Sequence, residues 1–134
     1  MSEAARERVE GARRRRFERL VGRALDELPA DVAAMLDNVE VVVEDEPQPH
    51  HLAAGGAEAV DGELFGLYEG VPRAERDSSY GLVLPDTITI FRGPLERAFR
   101  SPSAIVREVR ITVAHELGHH LGFDEDRLEE LGLG

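Results

Sequence analysis

The residues that could do chemistry gather near the C-terminal end, in His115-Glu116-Leu117-Gly118-His119 and the following His120-Leu121-Gly122-Phe123-Asp124-Glu125-Asp126. The pattern is H-E-x-x-H. On a helix, histidines at this spacing share one face, about one turn apart. Two imidazoles so placed can hold one tetrahedral metal ion. Glu116 is then free to take a proton from a metal-bound water and return it to a leaving amine. Catalytic zinc usually has about three protein ligands plus water, so a third must come from elsewhere. Gly122 lets the chain reverse after the helix, bringing Asp124, Glu125 and Asp126 back towards the metal. Glu125 is the first choice, because it completes H-E-x-x-H-x-x-G-x-x-E; Asp124 is the second, and Asp126 stays open. Tyr80 and His120 are candidate oxyanion donors. His120 points towards the packed side of the helix, where a supporting role suits it better. The plain alternative is an ordinary charged helix with two exposed histidines.

The elements around this stretch must present it. Ser101-Pro102 is a strong helix start, with serine at the N-cap and proline in the first turn, and the helix is expected to run to Leu121 and stop at Gly122. Ile105, Val106, Val109, Val113, Leu117 and Leu121 gather on one side. His115 and His119 fall on the other, with Glu108 and Thr112 upstream. Upstream again, residues 3–28 read as a helix with an apolar stripe of Phe17, Leu20, Val21, Ala24, Leu25 and Leu28. Asp31 is placed as the cap of a short helix to about Asp37.

Strands are expected at Val39–Glu44, Leu64–Glu69 and Thr87–Phe91; a charged loop from Arg73 to Ser79 leads to Tyr80-Gly81-Leu82-Val83-Leu84, and Pro85-Asp86 makes a turn. The acidic, proline-rich and glycine-rich stretch from Glu44 to Gly56 reads as a loop, and His50-His51 within it as plain surface residues. Gly93-Pro94 opens a short helical turn from Leu95 to Phe99, and a last helix spans Asp126 to Leu131. The fold class is α+β: an N-terminal helix, a small twisted mixed sheet and the histidine-bearing helix, in a single domain.

Composition narrows the chemistry. The chain has 134 residues, 42% hydrophobic and 32% charged, which suits one folded domain with a modest core. Cysteine is absent, so disulfides and thiolate metal sites are excluded, and His, Asp and Glu are the strong ligands. A formal net charge of -11 repels phosphate backbones and counts against general nucleic-acid binding. No stretch approaches a membrane span, and no secretory apolar region follows Met1, so the cytoplasm is the expected location. Arg13-Arg14-Arg15-Arg16 interleaves with Glu7, Glu10 and Glu18 and reads as a solvated helix face with ion pairs.

With those residues in view, the chain resembles the small bacterial zincin-like metallopeptidases, the minimal zincins. The resemblance lies in Val41-Val42-Val43-Glu44-Asp45-Glu46-Pro47, in Leu67-Tyr68-Glu69-Gly70-Val71-Pro72, in Leu84 to Glu96, and in Glu108 to Ala114 leading into the histidines. It runs from about residue 17 to the C-terminus, leaving residues 1–16 as a charged extension. It implies Zn²⁺ held by His115 and His119, with Glu116 as catalytic acid/base. The family pattern usually has aspartate as third ligand where this chain has Glu125, and no methionine follows the motif to form the methionine turn of larger relatives.

Two other readings compete with a zinc peptidase acting on a peptide or protein substrate. Bacterial ribosomal-RNA-processing endoribonucleases carry H-G-x-x-H-x-x-G-x-D-H, which His115, His119, Gly122 and Asp124 match. Glu116 replaces the glycine of that pattern and Glu125 its last histidine; a general base and the acidic charge favour amide hydrolysis over RNA. Alternatively, the metal is structural and the chain is a binding module. Oligomeric state is not encoded in any readable motif.

Overall fold

The computed structural model describes residues 1–71, 84–122 and 124–133. Along the chain they form α1 (Glu3–Asp26), α2 (Ala30–Ala34), β1 (Val39–Glu44), α3 (Pro49–Gly55), a 3-10 turn (Gly56–Glu58), β2 (Gly66–Glu69), β3 (Asp86–Phe91), α4 (Arg92–Ala98), α5 (Pro102–Leu121) and α6 (Glu125–Glu130). The architecture is α+β, with a three-stranded mixed sheet in the order β1-β3-β2. β1 runs parallel to β3, with Val41 opposite Ile88, and β2 runs antiparallel to it, with Tyr68 opposite Ile88.

Strand β3 is central, and its Thr-Ile-Thr-Ile alternation shows why. Ile88, Thr89 and Ile90 are all buried, as expected for a strand with a neighbour on each edge and cover on its faces. Against the sheet lie α1, through Phe17, Val21 and Ala24, and α5, through Val106, Val109, Val113 and Leu117. Val109, Val113 and Leu117 are completely enclosed, each side chain contributing about 1.5–3 kcal/mol by leaving water. A second small cluster of Leu64, Leu67 and Phe91 lies apart from this core.

Helix α5 keeps the limits its sequence announced. Ser101 Oγ accepts from Ala104 N at 3.1 Å. At the other end Gly122 takes φ +73°, and its N–H donates to Gly118 O at 3.1 Å, a left-handed cap that glycine adopts without steric cost. The expected inward row along α5 holds except at its end: Leu121 is exposed, because the helix outruns the body it packs on.

Several expectations change. The Glu44–Gly56 stretch is not a loop throughout, for Pro49–Gly55 is helical. Its start is stabilised by Pro49 in the first turn and by a reciprocal pair of contacts between Gln48 and His51, a side-chain cap that hydropathy does not register. Asp31 does not cap α2. Pro29 holds that position and the helix ends at Ala34, while the Asp31 carboxylate meets Arg127 Nε at 3.1 Å and ties α2 to α6. β2 begins at Gly66, β3 already at Asp86, α4 at Arg92 and α6 at Glu125, each within two or three residues of expectation. The loop expected at Arg73–Ser79, and the stretch it leads to as far as Val83, lie outside the described residues.

The first sixteen residues are continuous with α1. Arg14 donates to Val43 O at 2.8 Å. Glu10 meets the buried Arg92 guanidinium at 2.9 Å, and Arg92 also binds Asp45 and Glu96, each at 3.0 Å. Among the described residues no helix is long and apolar enough to cross a membrane.

Candidate metal centre

The last turns of α5 carry His115, Glu116, His119 and His120. His115 and His119 are exposed on one face, their rings 6.1 Å apart between centroids and within 17° of parallel. The i, i+4 spacing therefore does what helical geometry demands of it. Glu116 points elsewhere. It is only 2% exposed, and its Oε2 accepts the backbone N–H of Tyr68 at 3.1 Å.

Tyr68 can spare that N–H because β2 pairs only with β3 among the described strands, so one edge of β2 faces α5. Gly66, two residues earlier, permits the close approach: a side chain there would place its Cβ 2.6 Å from Thr112 Cγ2 and 3.2 Å from Thr89 O. The Tyr68 hydroxyl binds Asp86 Oδ2, and Asp86 Oδ1 accepts from Val71 N at 2.9 Å, which holds the end of β2 against β3. His120 stacks on the Tyr68 ring, with centroids 4.7 Å apart, and sets its Nε2 3.3 Å from Glu116 Oε2.

A residue that sequence reasoning missed completes the group. Glu58, at the end of the 3-10 turn, brings Oε1 to 3.6 Å from His119 Nε2 and lies beside the Glu116 carboxyl. Its Oε2 is buried without a hydrogen-bond partner. Burial pushes the Glu116 carboxyl up to about 8, the Glu58 contact adds to the rise, and the Tyr68 N–H opposes it. Burial likewise holds the His120 imidazole below its ordinary value, helped by His119 and His115 and opposed by Glu58.

The donor chemistry fits a divalent metal ion. Imidazole nitrogens and carboxylates without thiolates suit zinc and its neighbours in the first transition row, and a buried carboxylate oxygen without a partner is the kind of group a cation satisfies. Glu58, His119 and His120 hold donor atoms within 4.8 Å of one another. On another side His115 and Glu125 both line a crevice of about 140 Å³ between α5 and α6. His115, His119 and Glu125 are thus on adjoining surfaces but are not gathered into one group within 4.8 Å. Asp124 is committed to α6, where its carboxylate caps Asp126 N at 2.9 Å; Asp126 is exposed in the first turn. Tyr80 lies outside the described residues.

A second cluster, His50, His51 and Glu69, also brings donor atoms within 4.8 Å. His51 is not a plain surface residue, being 3% exposed with its ring edge-on to Phe91. Its Nδ1 accepts the Gln48 N–H at 2.9 Å, so in the neutral ring the proton sits on Nε2. That nitrogen faces Glu44 at 3.3 Å and Glu69 at 3.6 Å. A nitrogen carrying a proton has no lone pair for a cation, and we read His51 as a hydrogen-bonding post for α3.

A cleft of about 410 Å³ opens beside α5 and reaches His115 and Glu116. It is walled mainly by apolar side chains, with Glu58 and Glu108 also on its lining.

An α+β fold with a histidine-carboxylate centre on one long helix defines a class, and the chain belongs to the zincin-like metallopeptidase family, whose family model matches residues 36–134. The matched part begins after α1 and α2 and includes every residue of the centre. No curated protein matches the chain. Among solved structures, a conserved hypothetical protein from Thermo thermophilus is similar, with 29% identity over 79% of this chain and 91% of that one, at a TM-score of 0.47. Membership of this family implies a bound metal ion.

Proposed function

We propose that the chain is a zinc-dependent peptidase in which His115, His119 and Glu125 hold the metal and Glu116 is the catalytic acid/base. The observation that carries this reading is that Glu116, next to His115 in α5, is buried and fixed by the Tyr68 N–H. Zinc, when bound, supplies Lewis acidity towards a carbonyl and lowers the pKa of a coordinated water to ~7. Glu116 receives a proton on a carboxylate oxygen and passes it to the leaving amine. The Tyr68 N–H holds the carboxyl in a fixed direction for that exchange.

His119 must turn from Glu58 to join His115, a rotation of an exposed side chain that takes ps–ns. Glu125 already shares the His115 crevice, which supports it over the capping Asp124 as third ligand. The substrate is a peptide or protein, and the acidic net charge of -11 supports this over RNA. Cytoplasmic location is part of the same reading.

Elemental analysis of the purified chain, followed by digestion of a peptide library with and without chelator, tests it. The expected result is one zinc per chain and cleavage that stops on chelation. Metal-loaded protein that cuts structured RNA but no peptide would replace this reading with the endoribonuclease one. Stoichiometric metal with no turnover of either would leave the metal structural.

A further inference from the structure

We infer that the cleft beside α5 takes one large, uncharged apolar side chain of the peptide substrate, next to the bond that is cut. The inference rests on the peptidase reading and adds a specificity to it. The cleft reaches Glu116 and His115, so a backbone held at those residues can direct a neighbouring side chain into it. At about 410 Å³ it lies within the ~300–1,000 Å³ of typical ligand pockets. Val60, Leu64, Phe65, Phe99 and Ile111 form its apolar walls. Phe65 and Phe99 meet with ring centroids 5.7 Å apart.

Two features make the space available. Gly66 contributes no side chain to the wall, and β2 can therefore lie close against the Thr112 methyl. Val60, an apolar residue 53% exposed, borders the cleft. The charges select further. Glu58 and Glu108 line the cleft, and among the described residues no lysine or arginine does. An acidic side chain would enter against the Glu58 and Glu108 carboxylates, with no basic side chain among the described residues to meet it.

The test uses the full chain loaded with zinc and a peptide mixture that varies every position. Leu, Phe, Met or Ile should be enriched at one fixed place beside the cleaved bond, with Asp and Glu excluded. Replacing that residue by alanine in a single peptide should lower kcat/KM by roughly 10-fold or more. Val60→Asp, at an exposed position, should weaken the apolar preference without loss of fold; Ile111→Ala should weaken it from the other wall. Cleavage with no apolar preference, or a preference that neither variant changes, overturns the inference while leaving the peptidase reading intact.

Binding is measured separately by methyl NMR on Glu116→Gln protein, with N-acetyl-leucinamide and N-acetyl-aspartamide as probes. The leucine probe should shift the Val60, Leu64 and Ile111 methyl signals and the aspartate probe should not. Equal responses, or none from the leucine probe, overturn the inference. Selective leucine binding combined with no peptide cleavage by the zinc-loaded wild type would instead sink the peptidase reading alone.

Discussion

The backbone N–H of Tyr68 donates to Glu116 Oε2 at 3.1 Å, so the edge of a strand fixes the direction of a helical carboxyl. That contact separates catalytic from structural roles for Glu116. In Glu116→Gln the amide oxygen can still accept from Tyr68, and the amide nitrogen can donate to Glu58. Fold and zinc content should therefore persist, while peptide turnover falls by roughly 10²–10⁴. Circular dichroism, elemental analysis and kinetics on one preparation decide it. Loss of zinc or of fold would mean the carboxyl is part of the scaffold.

Gly66 sets the distance between β2 and α5. Gly66→Ala brings a Cβ within 2.6 Å of Thr112 Cγ2 and 3.2 Å of Thr89 O, an overpacking that costs about 1–3 kcal/mol. Thr112→Ser removes the clashing methyl but keeps the hydroxyl. In the Gly66→Ala background it should restore part of the lost Tm. No recovery would place the strain at the Thr89 carbonyl instead.

How much of this was legible depends on how local each signal is. The ends of α5 were readable because Ser101, Pro102 and Gly122 act on their own turns. The histidine pair was readable because helical spacing alone puts both rings on one face. Helix α3 was hidden, since its proline, paired histidines and glycines imitate a loop until Gln48 and His51 are seen to cap it. Glu58 carried no local mark at all. It reaches Glu116 and His119 only because the 3-10 turn folds over the end of α5. Leu121 obeyed the helical period and still faced solvent, because periodicity does not say where the partner surface ends.

Acid should weaken one surface clamp selectively. Arg97 grips Glu46 through two contacts of 2.8 Å and also binds Glu63 at 2.9 Å. The hydrogen bonds from Arg97 hold the Glu46 carboxyl below its ordinary value of 4.5. The folded state therefore binds this proton less readily than the unfolded chain does. The clamp's contribution is present above 4.5 and is lost as pH falls through the lower folded value. In Glu46→Gln, Tm should decline less steeply than in the wild type below pH 4.5. Both side chains are about half exposed, so the difference is small and shrinks further in high salt. Parallel Tm curves for the two proteins would remove Glu46 from the acid response.

The acidic residues after Gly122 should separate by what each already does. Asp124 accepts from Asp126 N and caps α6, so Asp124→Ala should cost about 0.5–2 kcal/mol of stability and leave zinc affinity nearly unchanged. Glu125 lines the crevice with His115 and has no capping duty. Its replacement by alanine should weaken zinc by more than the ~10–100-fold that follows loss of a hydrogen-bond partner to a ligand. Competition with a chromophoric chelator measures both affinities directly, without reference to turnover. If Asp124→Ala is the variant that releases zinc, the helix cap must open on metal binding and the ligand assignment moves one residue back. If neither releases it, Glu58, whose Oε1 lies 3.6 Å from His119 Nε2 and whose Oε2 is buried without a hydrogen-bond partner, becomes the carboxylate to test next.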